Sequence, residues 1–73
     1  PDEVLADTET KETVRAALDA LPPMYREVLV LHHFQDLKYR EIADTLNVPI
    51  GTVMNRIFRA RKKMARTIER RAA

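Results

Sequence analysis

Seventy-three residues with a net charge of +2, one glycine and no cysteine make one domain, whose core is marginal because so short a chain buries only about 60% of its unfolded surface. The lack of cysteine excludes a disulfide framework and a cysteine metal site, and fits a reducing compartment, the cytoplasm. No apolar run approaches the roughly eighteen residues of a membrane span, and Pro1-Asp2-Glu3 has neither an initiator Met nor a signal-peptide pattern, so the chain reads as a fragment of a longer protein that does not insert in membranes.

The first predicted element is a helix from Thr10 to Leu21, with Val14, Ala17, Leu18 and Leu21 at helical spacing and acids near its start, where the helix dipole favours them. Residues 1–9 are expected to be a flexible linker from a missing N-terminal region. Pro22-Pro23 stops helix one and starts helix two, since proline is tolerated in a first helical turn. Met24 to Phe34 is then almost wholly apolar through Val28-Leu29-Val30-Leu31, the signature of a buried helix. A β-strand over Val28 to Leu31 is the rival reading, disfavoured by the lack of period-two alternation.

After a break at Gln35-Asp36-Leu37, Tyr39, Ile42, Ala43 and Leu46 repeat as i, i+3, i+4, i+7 and predict helix three. Lys38 stands where a Ser or Thr N-cap would be usual, which costs about 1 kcal/mol, and Glu41 is placed to supply half a capping box. Asn47 suits a left-handed C′ position, and Val48-Pro49 closes the turn. Helix four is expected from Ile50 to about Arg70, with Ile50, Val53, Ile57, Ala60, Met64 and Ile68 in one stripe. Residues 71–73 are expected to fray. The predicted fold is thus all-α: a four-helix domain over 10–70 containing a helix-turn-helix with a long C-terminal recognition helix.

Charge divides steeply along this scaffold. Residues 1–21 sum to −4 and residues 22–48 to −1, while residues 49–73 hold eight basic groups against Glu69 alone, or +7. A compact basic segment is the footprint of a polyphosphate partner. Opposite the apolar stripe lie Thr52, Asn55, Arg56, Arg59, Lys62, Lys63 and Arg66, and the first four fall on the N-terminal turns that enter a major groove. Arg59 is the candidate for a guanine, because its fork matches O6 and N7, and Asn55 for an adenine. Arg56, Lys62, Lys63 and Arg66 read as phosphate contacts; a merely solvated face would carry acids at i+4. Lys38, Tyr39 and Arg40 stand at the start of helix three, placed for the DNA backbone, and Tyr39 reads equally well as a core aromatic whose hydroxyl reaches outward.

His32-His33 does not make a metal site, since neighbouring helical residues diverge by about 100° and no third ligand is at hand. No catalytic triad, glycine-rich phosphate loop or paired-carboxylate pocket can be assembled. No enzyme, cofactor, bound metal or small-molecule substrate is expected.

Taken in order, Leu21-Pro22-Pro23, Arg26-Glu27-Val28-Leu29, Glu41-Ile42-Ala43, Gly51-Thr52-Val53 and Arg56-Ile57-Phe58-Arg59-Ala60-Arg61 resemble region 4 of bacterial sigma-70 factors, best the extracytoplasmic-function group, over about Leu18 to Ala65. The resemblance implies a domain that recognises the promoter minus-35 element, docks on the flap of RNA polymerase core enzyme and is often masked by an anti-sigma factor. It implies that Thr52, Asn55, Arg56, Phe58 and Arg59 address the element, with Tyr39 and Arg40 beside the backbone. This chain departs from the family at Met54-Asn55, where a basic residue and serine are usual. Methionine cannot snorkel to a phosphate, and Asn55 changes the donor and acceptor pattern, so the element read is expected to differ from the common GGAAC-like sequence. Two other readings are a protein-interaction module, in which apolar grooves of helices one, two and four grip polymerase or an anti-sigma helix with little intrinsic DNA binding, and, more distantly, a response-regulator output domain.

Overall fold

The computed structural model describes residues 2–72, with side chains from residue 11 to residue 70. Four α-helices follow one another: α1 (Asp2–Asp19), α2 (Pro23–Leu29), α3 (Tyr39–Leu46) and α4 (Ile50–Ala72), with a π-helical turn, Val30–Phe34, continuing α2. No strand occurs among the described residues. The all-α expectation holds and the rival strand over Val28 to Leu31 does not form. Residues 1 and 73, and the side chains of the expected 1–9 linker and 71–73 tail, lie outside the described residues.

Helix α1 begins upstream of the periodic stretch, at Asp2, and ends at Asp19 rather than Leu21. Nothing before Pro22 breaks a helix, but a residue preceding proline is pushed out of the helical region. Leu21 N–H therefore closes the last turn tightly on Leu18 O at 3.1 Å. Pro22 O then accepts from Tyr25 and Arg26 N–H at 3.0 and 3.1 Å, and Pro23 opens α2.

The second apolar run contradicts its simple reading. Val28 and Leu29 are buried, but no residue of Val30–Phe34 is fully so, and Phe34 is 65% exposed. The wider π winding, with Gln35 N–H donating to Val30 O at 3.2 Å, rotates the last turn off the core. Leu37 N–H reaches back to Leu31 O at 3.0 Å and Asp36 takes φ 55°, a left-handed conformation that Asp adopts more readily than bulkier residues.

Helix α3 matches its predicted bounds. Lys38 N–H donates to Glu41 Oε1 at 2.8 Å, the expected half of a capping box; a lysine ammonium has no acceptor with which to complete it. Asn47 sits at φ 57°, ψ 48°. Its N–H donates to Asp44 O and that of Val48 to Ala43 O, at 3.3 and 3.0 Å, a Schellman closure. Pro49 O receives Thr52 and Val53 N–H at 3.0 and 3.3 Å and starts α4.

Helices α1, α2 and α3 all pack on α4. The core gathers Leu18 and Leu21, Val28 and Leu29, Ile42 and Ala43, and Val53, Ile57 and Ala60. Of the stripe expected on α4, its middle is buried, Met64 and Ile68 are half-buried, and Ile50 is exposed on the first turn, ahead of Val53. With its 23 residues α4 is roughly 35 Å long at 1.5 Å per residue, most of the molecule's 41 Å extent. One long helix thus presents a buried face to three others and keeps its remaining circumference free.

Candidate nucleic-acid interface

The free circumference of α4 follows from burial of the other side. Val53, Ile57 and Ala60 are inaccessible, so residues about 180° away project outward. Asn55, Phe58, Arg59, Lys62 and Lys63 are exposed, and Thr52 and Arg56 are half-buried at the edges of that face. Arg59, Lys62, Lys63 and Arg66 line one shallow depression of about 190 Å³. The structure therefore brings four of the predicted basic residues, Arg59, Lys62, Lys63 and Arg66, together on one surface. Met54, expected at the edge of the apolar stripe, is 52% exposed.

Three contacts order this face. Arg59 Nε–H donates to Asn55 Oδ1 at 3.0 Å, one turn earlier. The Lys62 ammonium lies 4.9 Å from the centroid of the Phe58 ring, whose own exposure is 59%. Lys63 leans the other way, its ammonium 5.8 Å from the centre of Tyr25 on α2. Such cation–π contacts are worth about 0.5–1 kcal/mol at exposed sites, too little to hold either lysine against a phosphate.

Helix α3 contributes its N-terminal end. Lys38 and Arg40 are exposed, and Tyr39 is half-buried against the core, so its ring has the packed role that was one of its two readings. The Tyr39 ring also lies 4.9 Å from that of His32. This was not legible from spacing, because the π turn brings the histidine to α3. His32 Nδ1 donates to Leu37 O at 3.0 Å. The His33 ring meets that of His32 edge-on at 4.9 Å, closer than regular helical divergence suggested. On its other side His33 Nε2 receives Arg61 Nη2 from α4, at 3.5 Å. Burial first, then His32, then the Arg61 guanidinium hold His33 below the ordinary imidazole value. No group of three or more His, Cys, Asp or Glu side chains is arranged to hold a metal ion among the described residues.

A second surface lies on the far side of α4 from the basic depression. Val14 and Leu18 of α1, Leu29, Phe34 and Met64 and Ile68 of α4 line an apolar groove of about 410 Å³ with Arg61 and His33 at its edge. A neighbouring depression of about 610 Å³ shares Val14, Leu18 and Phe34 and is rimmed by Lys11, Arg15 and Arg26, with Asp19 also on its lining. The protein-interaction reading placed apolar grooves on helices one, two and four, and this groove is lined from those elements and the turn after α2, with Phe34 as the part spacing did not assign to it. The signal for that part was Phe34 ending an apolar run just before a polar break.

No helix among the described residues is long and apolar enough to cross a membrane. The family model described as "Sigma-70, region 4" matches residues 11–64. The chain is 41% identical over 64 residues to the ECF RNA polymerase sigma factor SigE of Mycolicibacterium smegmatis, an alignment covering 88% of this chain and 25% of that protein. It is 34% identical over 68 residues to the ECF RNA polymerase sigma factor SigW of Bacillus subtilis, covering 93% and 36%. Against the ECF RNA polymerase sigma-E factor of Escherichia coli K12 it is 32% identical over 69 residues, covering 94% and 36%. The chain thus spans between a quarter and just over a third of the length of these curated relatives.

Proposed function

Because the chain belongs to the region 4 family of sigma-70 factors, of the extracytoplasmic-function type, we propose that it reads the promoter minus-35 element as the DNA-binding domain of a sigma factor. Helix α4 enters the major groove and α3 lies across the backbone, as in other helix-turn-helix proteins. The observation that carries this reading is the face of α4 on which Asn55, Phe58, Arg59 and Lys62 stand exposed, opposite the buried Val53, Ile57 and Ala60. Thr52, Asn55, Phe58 and Arg59 are the base-facing set, with Arg59 on a guanine. Lys38, Tyr39, Arg40, Arg56, Lys62 and Lys63 are the backbone set; Tyr39 serves there through its hydroxyl, since its ring is packed.

The apolar groove around Phe34 supports a protein partner as well. A sigma factor must join RNA polymerase core, and a groove floored by Val14, Leu18, Met64 and Ile68 suits the apolar face of an amphipathic helix, from the polymerase flap or from an anti-sigma factor. On this reading residues 10–70 form the binding domain, residues 1–9 lead from an upstream region, residues 71–73 are its tail, and the protein acts in the cytoplasm.

Fluorescence-anisotropy titration tests the DNA reading, using a labelled duplex with a GGAAC-like element, a scrambled control, and two salt concentrations. Preference for the element together with a steep loss of affinity in salt is the expected result. Equal, salt-sensitive binding to both duplexes would overturn recognition of a GGAAC-like element and leave a basic helix whose specificity is altered at Asn55 or depends on polymerase.

A further inference from the structure

The geometry points to Asn55 as a positioning residue for Arg59, holding its guanidinium ready for a guanine; this inference rests on α4 being the base-reading helix. Both side chains are exposed, so no packing orients them, yet Arg59 Nε–H donates to Asn55 Oδ1 at 3.0 Å. They are four residues apart and therefore neighbours on one side of the helix.

The chemistry of both groups favours this division of labour. A guanidinium carries five N–H donors in a planar fork. With Nε–H committed to Asn55, the two terminal amino groups remain free at the outer end, where they match the O6 and N7 acceptors of guanine. Free arginine carries about 2 kcal/mol of rotamer entropy, and fixing the side chain beforehand removes part of that cost from binding. Asn55, conversely, needs its Oδ1 and its amide nitrogen together to pair with adenine N6 and N7. One of the two Oδ1 lone pairs is already taken by Arg59 Nε–H, so positioning Arg59 is a role that Asn55 performs in addition to any contact of its own with a base. Arg66, farther along α4, has no residue like Asn55 one turn before it, since position 62 is a lysine. The i, i+4 pairing thus singles out one arginine.

Two measurements on the 73-residue chain test this. The first is the affinity ratio between a GGAAC-like duplex and the same duplex with 7-deazaguanine, which lacks N7, at each guanine in turn. The wild type is expected to lose about tenfold at one guanine, the low end of the 1–3 kcal/mol typical of a bidentate pair. Asn55→Ala should shrink that ratio toward the value of Arg59→Ala. Asn55→Asp keeps the acceptor and removes the amide donor, so it should retain the ratio while binding more weakly overall, being an added negative charge beside DNA. An unchanged ratio in Asn55→Ala, or loss of the ratio in Asn55→Asp, overturns the positioning role. The second measurement needs no DNA: the NMR order parameter of the Arg59 Nε–H bond, expected above that of Arg66 and lowered to it by Asn55→Ala. Equal Arg59 order in wild type and Asn55→Ala overturns the inference even if the chain proves to prefer no duplex, a result that would separately sink recognition of a GGAAC-like element.

Discussion

At Asn47 the chain reverses between α3 and α4 with a backbone of φ 57°, ψ 48°, a conformation in which a Cβ crowds the following carbonyl at a cost of about 1–2 kcal/mol for ordinary residues. Asparagine tolerates it and glycine avoids the penalty; a β-branched side chain meets it in full. Asn47→Val is therefore expected to lower stability by about 1–2 kcal/mol while Asn47→Gly changes it by a few tenths, as read from urea-unfolding midpoints followed by circular dichroism. The position was legible because asparagine followed by Val48-Pro49 is a helix-stop pattern. Asp36, the other residue with a left-handed backbone, at φ 55°, was not: its turn closes a π winding, and no short-range pattern distinguishes that from an α-helical end. Arg59 and Asn55 divide similarly. Their exposure followed from counting around the helix, whereas their hydrogen bond is a choice of rotamer that a residue count does not contain.

Between the element boundaries, the π turn Val30–Phe34 is where sequence reading fell furthest short. An apolar run predicts burial by composition, but five residues wound one step wider send Phe34 outward and set His33 against Arg61 of α4. Helices α3 and α4 were read well because their apolar positions repeat cleanly at helical spacing, and the π turn escaped because a change of winding leaves composition untouched. The histidine contact makes this element sensitive to pH. His33 is held below the ordinary imidazole value, by burial first and then by His32 and Arg61, so the folded chain favours its neutral form. As pH falls through about 6.5 the unfolded chain takes up that proton first, and the stability present above this pH is progressively lost. Arg61 can donate to His33 Nε2 only while that nitrogen is unprotonated, which gives the same sign. Urea midpoints are expected to fall between about pH 7.5 and pH 5.5 in the wild type, and to fall less in His33→Gln, which keeps an acceptor but does not titrate in that range. Equal slopes in the two proteins would remove His33 from the account.

Over the whole molecule, a nearly neutral net charge hides a steep division of charge along the chain. Residues 49–73, which are almost entirely α4, carry +7 and residues 1–21 carry −4, although the net charge is only +2. This arrangement predicts binding governed by local rather than net charge. Each phosphate neutralised contributes about −0.9 to the slope of log affinity against log salt concentration. Lys62 is exposed, and its ammonium contacts the Phe58 ring, a weak competitor for a phosphate. Lys62→Ala should therefore reduce the slope by about one and weaken the element and the scrambled duplex to a similar extent, because phosphate contacts carry no base information. Arg59→Ala should do the reverse, lowering preference between the duplexes more than it lowers the slope. Salt titrations of the three proteins on both duplexes separate these effects. A slope unchanged by Lys62→Ala would place that lysine off the DNA and leave its ammonium on Phe58, so that the aromatic ring, capped by a cation, would not be free to meet a base either.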